Sequence, residues 1–264
     1  VAQHYLFQSS GVPAIQSWVF WDYDEALAFT LKCSYPIVFK LSVGAGSANV
    51  IKVESQKEAE TLVRKIFGSG VTPYTFNEYS SVWFPTSKDD LLRLKSRVAQ
   101  RVKNALFHNC PPRPHYYMTQ KNYAYFQEFL PDNDHDIRVT VIGNRAWGYI
   151  RQNRVGDFRA SGSGLLDYDP KRIPEEAVRI AHDISIRNKF QCMAYDFLRS
   201  PDGHLLVNEI SYSFVESLVH NCPGYWDSDL VWHDGHVWPE AAQVDDLIAE
   251  IALRKSAGGR IDSR

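Results

Sequence analysis

The sequence Met193-Ala194-Tyr195-Asp196-Phe197-Leu198, Pro201-Asp202-Gly203, Leu205-Leu206-Val207-Asn208-Glu209-Ile210 carries the clearest structural signal in the chain. Two apolar runs rich in strand formers flank a Pro-Asp-Gly turn, so the sequence predicts a β-hairpin. Each run is interrupted by one acid, Asp196 and Glu209. A short turn between antiparallel strands brings two such carboxylates to one point. Buried together without a counter-charge they would repel and one would stay protonated, whereas a hard cation such as Mg2+ would accept both as oxygen ligands.

Upstream, further strands are predicted around 123–130, 137–142 and 146–151, the last two joined by Gly143-Asn144. The apolar strand ending Gln127-Glu128-Phe129-Leu130-Pro131 carries a carboxylate, and Asp136-Ile137-Arg138 comes after it. Alternation places Asp136 and Arg138 on one face of their strand, where they either form a structural ion pair or share a ligand. Arg145, Arg151, Arg154 and Arg159 come next, with a Ser/Gly stretch at 160–164 beyond them. Planar guanidinium forks suit phosphate and carboxylate oxygens, and a flexible loop beside them reads as a flap over an anion, although surface arginines are common.

The first third predicts helices over 22–33 and 55–67 and strands over 35–41 and 49–53. Ser55 with Glu58 three residues on is a capping box, and Gly68 a stop. Lys40 ends an apolar strand and precedes the small-residue loop 42–48, whose Gly44 and Gly46 let backbone amides approach a phosphate closely. An exposed strand-end lysine is the plainer alternative. Residues 69–122 change texture, with a Lys/Arg-rich helix over 88–107 and the Pro-rich Cys110-Pro111-Pro112-Arg113-Pro114, and read as a surface insertion. Helices over 174–189 and 239–255 complete an α+β pattern.

Composition bounds the partners. The chain has 264 residues, 44% hydrophobic and 23% charged, which describes a folded globular protein. Lys and Arg number 29 against 31 Asp and Glu, for a net charge of −2, too balanced for a partner that is nucleic acid or an anionic membrane. Four cysteines without C-x-x-C spacing, no run of about eighteen apolar residues and no signal peptide predict a soluble, cytoplasmic protein. The start at Val1 predicts an absent or altered N-terminal part.

The order of a strand Lys with a small-residue loop, a Q-E-F-L strand, D-x-R, an Arg on the next strand, G-D-F-R and an acidic hairpin resembles the ATP-grasp superfamily. Its RimK-like branch of ATP-dependent carboxylate–amine ligases is the most similar. The resemblance spans residues 11–213 apart from the insertion. It implies an α+β fold with two subdomains gripping a nucleotide: 1–68 N-terminal, 69–122 insertion, 123–264 C-terminal. By position it implies that Lys40 touches the α- and β-phosphates, that Glu128, Phe129 and Leu130 read adenine, and that Asp136 is the ribose-side acid. Arg138, Arg151 and Arg159 match arginines around the triphosphate and acyl phosphate, while Asp196, Glu209 and Ser211 match the magnesium ligands. ATP and Mg2+ are the implied cofactors.

Three departures stand out: Ser211 and Ser161 occupy positions where the family has Asn, and the lysine near the domain's start is not evident before Gly11. They bear on turnover more than on nucleotide binding. The aromatic segment 211–236 resembles ATP-grasp proteins of bacterial surface-polysaccharide gene sets, and Trp and Tyr faces suit sugar rings, although a C-terminal segment that covers the core reads equally well. The implied reaction joins a sugar-acid or glycan carboxylate to an amine such as an amino acid. The alternatives are a peptide or protein ligase of glutamate-ligase type, for which the basic helix would suit an acidic chain, and a nucleotide- or glycan-binding scaffold without turnover. A missing N-terminal domain or a homo-oligomer would complete the protein.

Overall fold

The computed structural model describes residues 1–43, 49–73, 118–154, 156–160 and 163–256. The glycine loop at 44–48, the basic helix at 88–107, Cys110 and Ser161 lie outside the described residues. The chain divides into two compact units, Val1–His4 with Gln16–Phe129, and Tyr5–Ile15 with Leu130–Arg264.

In the first unit, β1 (Ser17–Phe20), β4 (Ala124–Glu128), β2 (Ile37–Lys40) and β3 (Val50–Val53) form a four-stranded antiparallel sheet in that spatial order. Helices α2 (Tyr23–Thr30) and α3 (Gln56–Phe67) supply Ala26, Val63 and Ile66 to a core with Phe39, Val53 and Phe126. Their caps obey the sequence. Asp22 accepts from the amides of Asp24 and Glu25, and Ser55 Oγ from the Glu58 amide, while Glu58 Oε2 accepts from the Glu54 amide. The expected boundary at residue 123 needs correcting. Strand β4 pairs with both β1 and β2, since Phe126 has its apolar partners Phe39 and Trp18 there, so it belongs to the first unit.

The second unit carries a larger antiparallel sheet in the order β11 (Trp232–Asp234), β10 (Gly224–Asp227), β6 (Arg145–Gln152), β5 (His135–Ile142), β8 (Cys192–Arg199) and β9 (Leu205–Ser211), with β7 (Leu166–Asp167) also on β6. Its odd-numbered β5 residues Ile137, Val139 and Val141 join Ile150, Tyr195 and Phe197 against Ala177, Val178, Ala181 and Ile184 of α4 (Glu175–Asn188). On the other face, Ile142, Trp147 and Tyr149 pack with Val219 of α5 (Glu216–His220), Cys222 and Ala242 of α6 (Pro239–Ser256). That face is apolar at one end only, and the other end carries charge. An N-terminal helix, α1 (Ala2–Ser10), was not legible, having neither acids in its first turn nor bases in its last. Its Phe7 enters the core with α4.

Candidate functional site

The charged end of the larger sheet is assembled by register. Asp136 lies opposite Arg151, and Arg138 opposite both Tyr149 and Asp196, so side chains from β5, β6 and β8 share one face. Asp136 and Arg138 do not pair with each other; each finds its partner across a strand boundary. Arg138 donates from Nε to Asp196 Oδ1 (2.5 Å) and from Nη2 to Oδ2 (2.7 Å). Arg151 donates from Nε to Asp136 Oδ1 (2.7 Å) and from Nη2 to Asp136 Oδ2 (2.5 Å), and the same Nη2 lies 2.7 Å from Asp196 Oδ2. The result is a chain Asp136–Arg151–Asp196–Arg138, neutral in sum, with Asp136, Arg151 and Asp196 at most 5% exposed.

Burial raises the cost of every charge in this chain, and the partners decide which survive. Desolvation and the neighbouring Asp196 charge push the Asp136 carboxyl up to about 6, against the pull of Arg151. Desolvation acts in the same direction on Asp196, but Arg151 and Arg138 outweigh it and hold that carboxyl down at about 2. Both guanidiniums are held firmly charged by these acids despite burial. The acids therefore fix two cations in place on the sheet.

The metal reading of the hairpin changes in one respect. Asp196 and Glu209 are ladder partners, as the turn predicts, with a β-bulge directly after Asp196. Yet Glu209 is exposed, and the Asp196 charge is met by arginines, so the two carboxylates are not a buried like-charged pair. Among the described residues no cluster of three or more His, Cys, Asp and Glu side chains is placed to hold a metal ion. Asp196, Glu209 and Ser211 offer oxygens of the hard type that magnesium takes, but both Asp196 oxygens are engaged by the two guanidiniums. Ser211 Oγ itself donates to the Ser213 carbonyl (2.6 Å) and accepts from the Ser213 amide.

Elsewhere, Arg159 is held by Asp157, Nε to Oδ1 at 2.9 Å and Nη2 to Oδ2 at 2.9 Å. In the first unit Lys40 is half-buried at the end of β2, opposite Val50, and alternation turns it away from the core that holds Phe39. Glu128 is exposed, and Phe129 lies under the Lys52 ammonium, 4.5 Å from the ring centre. Leu130 is buried in the second unit.

Sequence reasoning missed Tyr149. It is fully buried opposite Arg138, its hydroxyl has no hydrogen-bond partner among the described residues, and burial pushes its pKa up to about 12. The i, i+2 spacing to Arg151 was the available signal. Also missed was Asp157 as the anchor of Arg159, readable from Gly156-Asp157-Phe158-Arg159.

No protein-family model and no curated protein matches the chain. Solved structures do. A RiPP-associated ATP-grasp ligase from Chryseobacterium gregarium, in complex with ADP and a leader and core peptide, is 12% identical with a TM-score of 0.51; the match covers 94% of this chain and 58% of that one. A RimK-domain ATP-grasp protein from Sphaerobacter thermophilus is 17% identical with a TM-score of 0.45, covering 82% and 59%. Biotin carboxylase from Campylobacter jejuni is 15% identical with a TM-score of 0.47, covering 83% and 41%. The chain thus spans less than two thirds of the length of these structures. The likeness to the Chryseobacterium ligase shows the fold, which is ATP-grasp.

Proposed function

We propose that this protein is an ATP-dependent ligase that joins a carboxylate to an amine. The observation that carries the reading is the Asp136–Arg151–Asp196–Arg138 chain, two guanidiniums fixed before any ligand arrives, beside the Glu209 carboxylate. Charge that develops on a transferring phosphoryl group is stabilised best by donors that need no reorganisation.

In the proposed reaction a substrate carboxylate oxygen bonds to the γ-phosphorus of ATP while the bond to the bridging oxygen of ADP breaks. The products are an acyl phosphate and ADP. The amine nitrogen then bonds to the acyl carbon, phosphate leaves with the carbon–oxygen electron pair, and the nitrogen loses a proton to give the amide. Lys40 neutralises the α- and β-phosphates, Glu128, Phe129 and Leu130 read the adenine with backbone groups, and Asp136 is the ribose-side acid. Arg138, Arg151 and Arg159 meet the phosphoryl and acyl-phosphate oxygens. Asp196 and Glu209, with Ser211, would hold Mg2+, which supplies positive charge to phosphate oxygens when bound.

For the acid, a sugar acid is the reading that the resemblance of the aromatic segment suggests. In the structure many of those rings engage one another: Tyr225 stacks on His233, Trp226 meets Trp232 edge-on, and Trp238 stacks on His220, while Tyr212 is 84% exposed. A second reading, a peptide carboxylate, draws support from the Chryseobacterium ligase of the same fold, described with ADP and a peptide. ADP release separates the two. Release that requires a uronic acid and an amino acid supports the first reading, and release that requires an acidic peptide supports the second. Nucleotide binding without ADP release under either condition refutes ligase activity.

A further inference from the structure

The last helix, α6, presents two different sides. Ala242 is buried, and Asp246 accepts from Arg145 Nη1 at 2.8 Å, so these residues define the side that faces the sheet. At about 100° per residue the opposite side gathers Val244, Leu247, Ile248 and Ile251. All four are exposed, Ile248 at 59%. Ordinary surface helices put charge there. The same side continues one turn in each direction to Glu240 and Lys255.

This set is symmetric about the midpoint between Leu247 and Ile248. Laid antiparallel against a second copy of itself, Val244 meets Ile251, Leu247 meets Ile248, and Glu240 of each copy meets Lys255 of the other. Laid parallel, the helix would oppose Glu240 to Glu240 and Lys255 to Lys255. The apolar stripe supplies the attraction, and the charges at its ends select one orientation. We propose that α6 is a self-association surface through which two copies of this chain pair antiparallel about a two-fold axis beside Leu247 and Ile248. Isologous contacts of this kind are the commonest route to a closed dimer. A single helix pair gives a small interface, so the dimer is a dissociating one that forms in the micromolar range.

The test is sedimentation velocity on the full chain across a concentration series from about 1 to 200 µM. Wild type is expected to shift from monomer to dimer. Ile248→Asp should abolish the shift, and Leu253→Asp, an exposed apolar position on the opposite side of the helix, should leave it intact. Glu240→Lys alone and Lys255→Glu alone should each weaken association at least tenfold, whereas the double exchange should restore it. The altered residues are exposed, so melting temperatures serve as the folding control and should match wild type. A chain that stays monomeric throughout the series overturns the proposal. So does a dimer that tolerates Ile248→Asp, or one that the double exchange fails to restore. A dimer disrupted equally by Leu253→Asp would show that another face is responsible.

Discussion

Replacing Arg151 by Met should unlock the charged end of the sheet more than any other single change there. Methionine keeps much of the aliphatic stem and removes the fork. Arg151 is 5% exposed and holds both oxygens of Asp136, together with one oxygen of Asp196. Asp196 keeps Arg138, but Asp136 is left buried with no partner among these four residues. Orphaning one member of a buried ion pair costs about 3 to 5 kcal/mol. For a protein of this size each kcal/mol moves the melting temperature by about 2 to 4 °C, so a fall of roughly 10 °C is expected. Changing both partners is the sharper test. Because most of the loss comes from the stranded carboxylate, Asp136→Asn combined with Arg151→Met should be more stable than Arg151→Met alone. Urea unfolding of wild type, both single variants and the double variant measures this. A loss below about 1 kcal/mol for Arg151→Met, or a double variant less stable than the Arg151→Met single, would show that Asp136 is not stranded by the change.

Three further outcomes arise from the same geometry. Asp136 has its carboxyl pushed from 3.8 up to about 6, so the folded protein binds a proton that the unfolded chain releases between those values. That contribution is present at low pH and is lost as pH rises through 6, a decline that Asp136→Asn should lack, and parallel stability–pH profiles for the two proteins would contradict it. Tyr149→Phe removes a buried hydroxyl that has no partner among the described residues, so stability should hold or rise by up to about 1 kcal/mol; a clear fall in melting temperature would reveal a partner for that oxygen. Glu209→Ala, at an exposed position, should change stability by no more than about 0.5 kcal/mol and retain ATP binding while losing magnesium-dependent turnover. Undiminished turnover would remove Glu209 from the ligand set.

Legibility in the sequence was chiefly local. The turns at Gly143-Asn144 and 201–203 set both hairpins, with Gly143 at φ +57° and Gly203 at φ +85°, conformations that need no side chain. Asp22 and Ser55 cap their helices as their residue types require. The ion chain was legible only as separate members. Alternation put Asp136 and Arg138 on one face, but their partners are set by β5 lying between β6 and β8, an order that no spacing along the chain records. The same holds for β4, whose apolar run suits a place beside β5 and β6 as well as one beside β1 and β2, which it actually joins. Glu209 reads as buried because its strand is apolar, yet it faces solvent on the edge strand of the sheet, where alternation leaves room for a charge.

Nucleotide binding is the claim on which the proposed chemistry rests, and a thermal-melt series tests it directly: no nucleotide, ATP and GTP, each with and without Mg2+, on wild type and Lys40→Ala. A ligand at about 100 times its dissociation constant stabilises the folded state by roughly 2.7 kcal/mol, which is a shift of several degrees here. A magnesium-dependent shift with ATP is expected on wild type and should be largely lost in Lys40→Ala. No shift with either nucleotide, or an equal shift in both proteins, would contradict it.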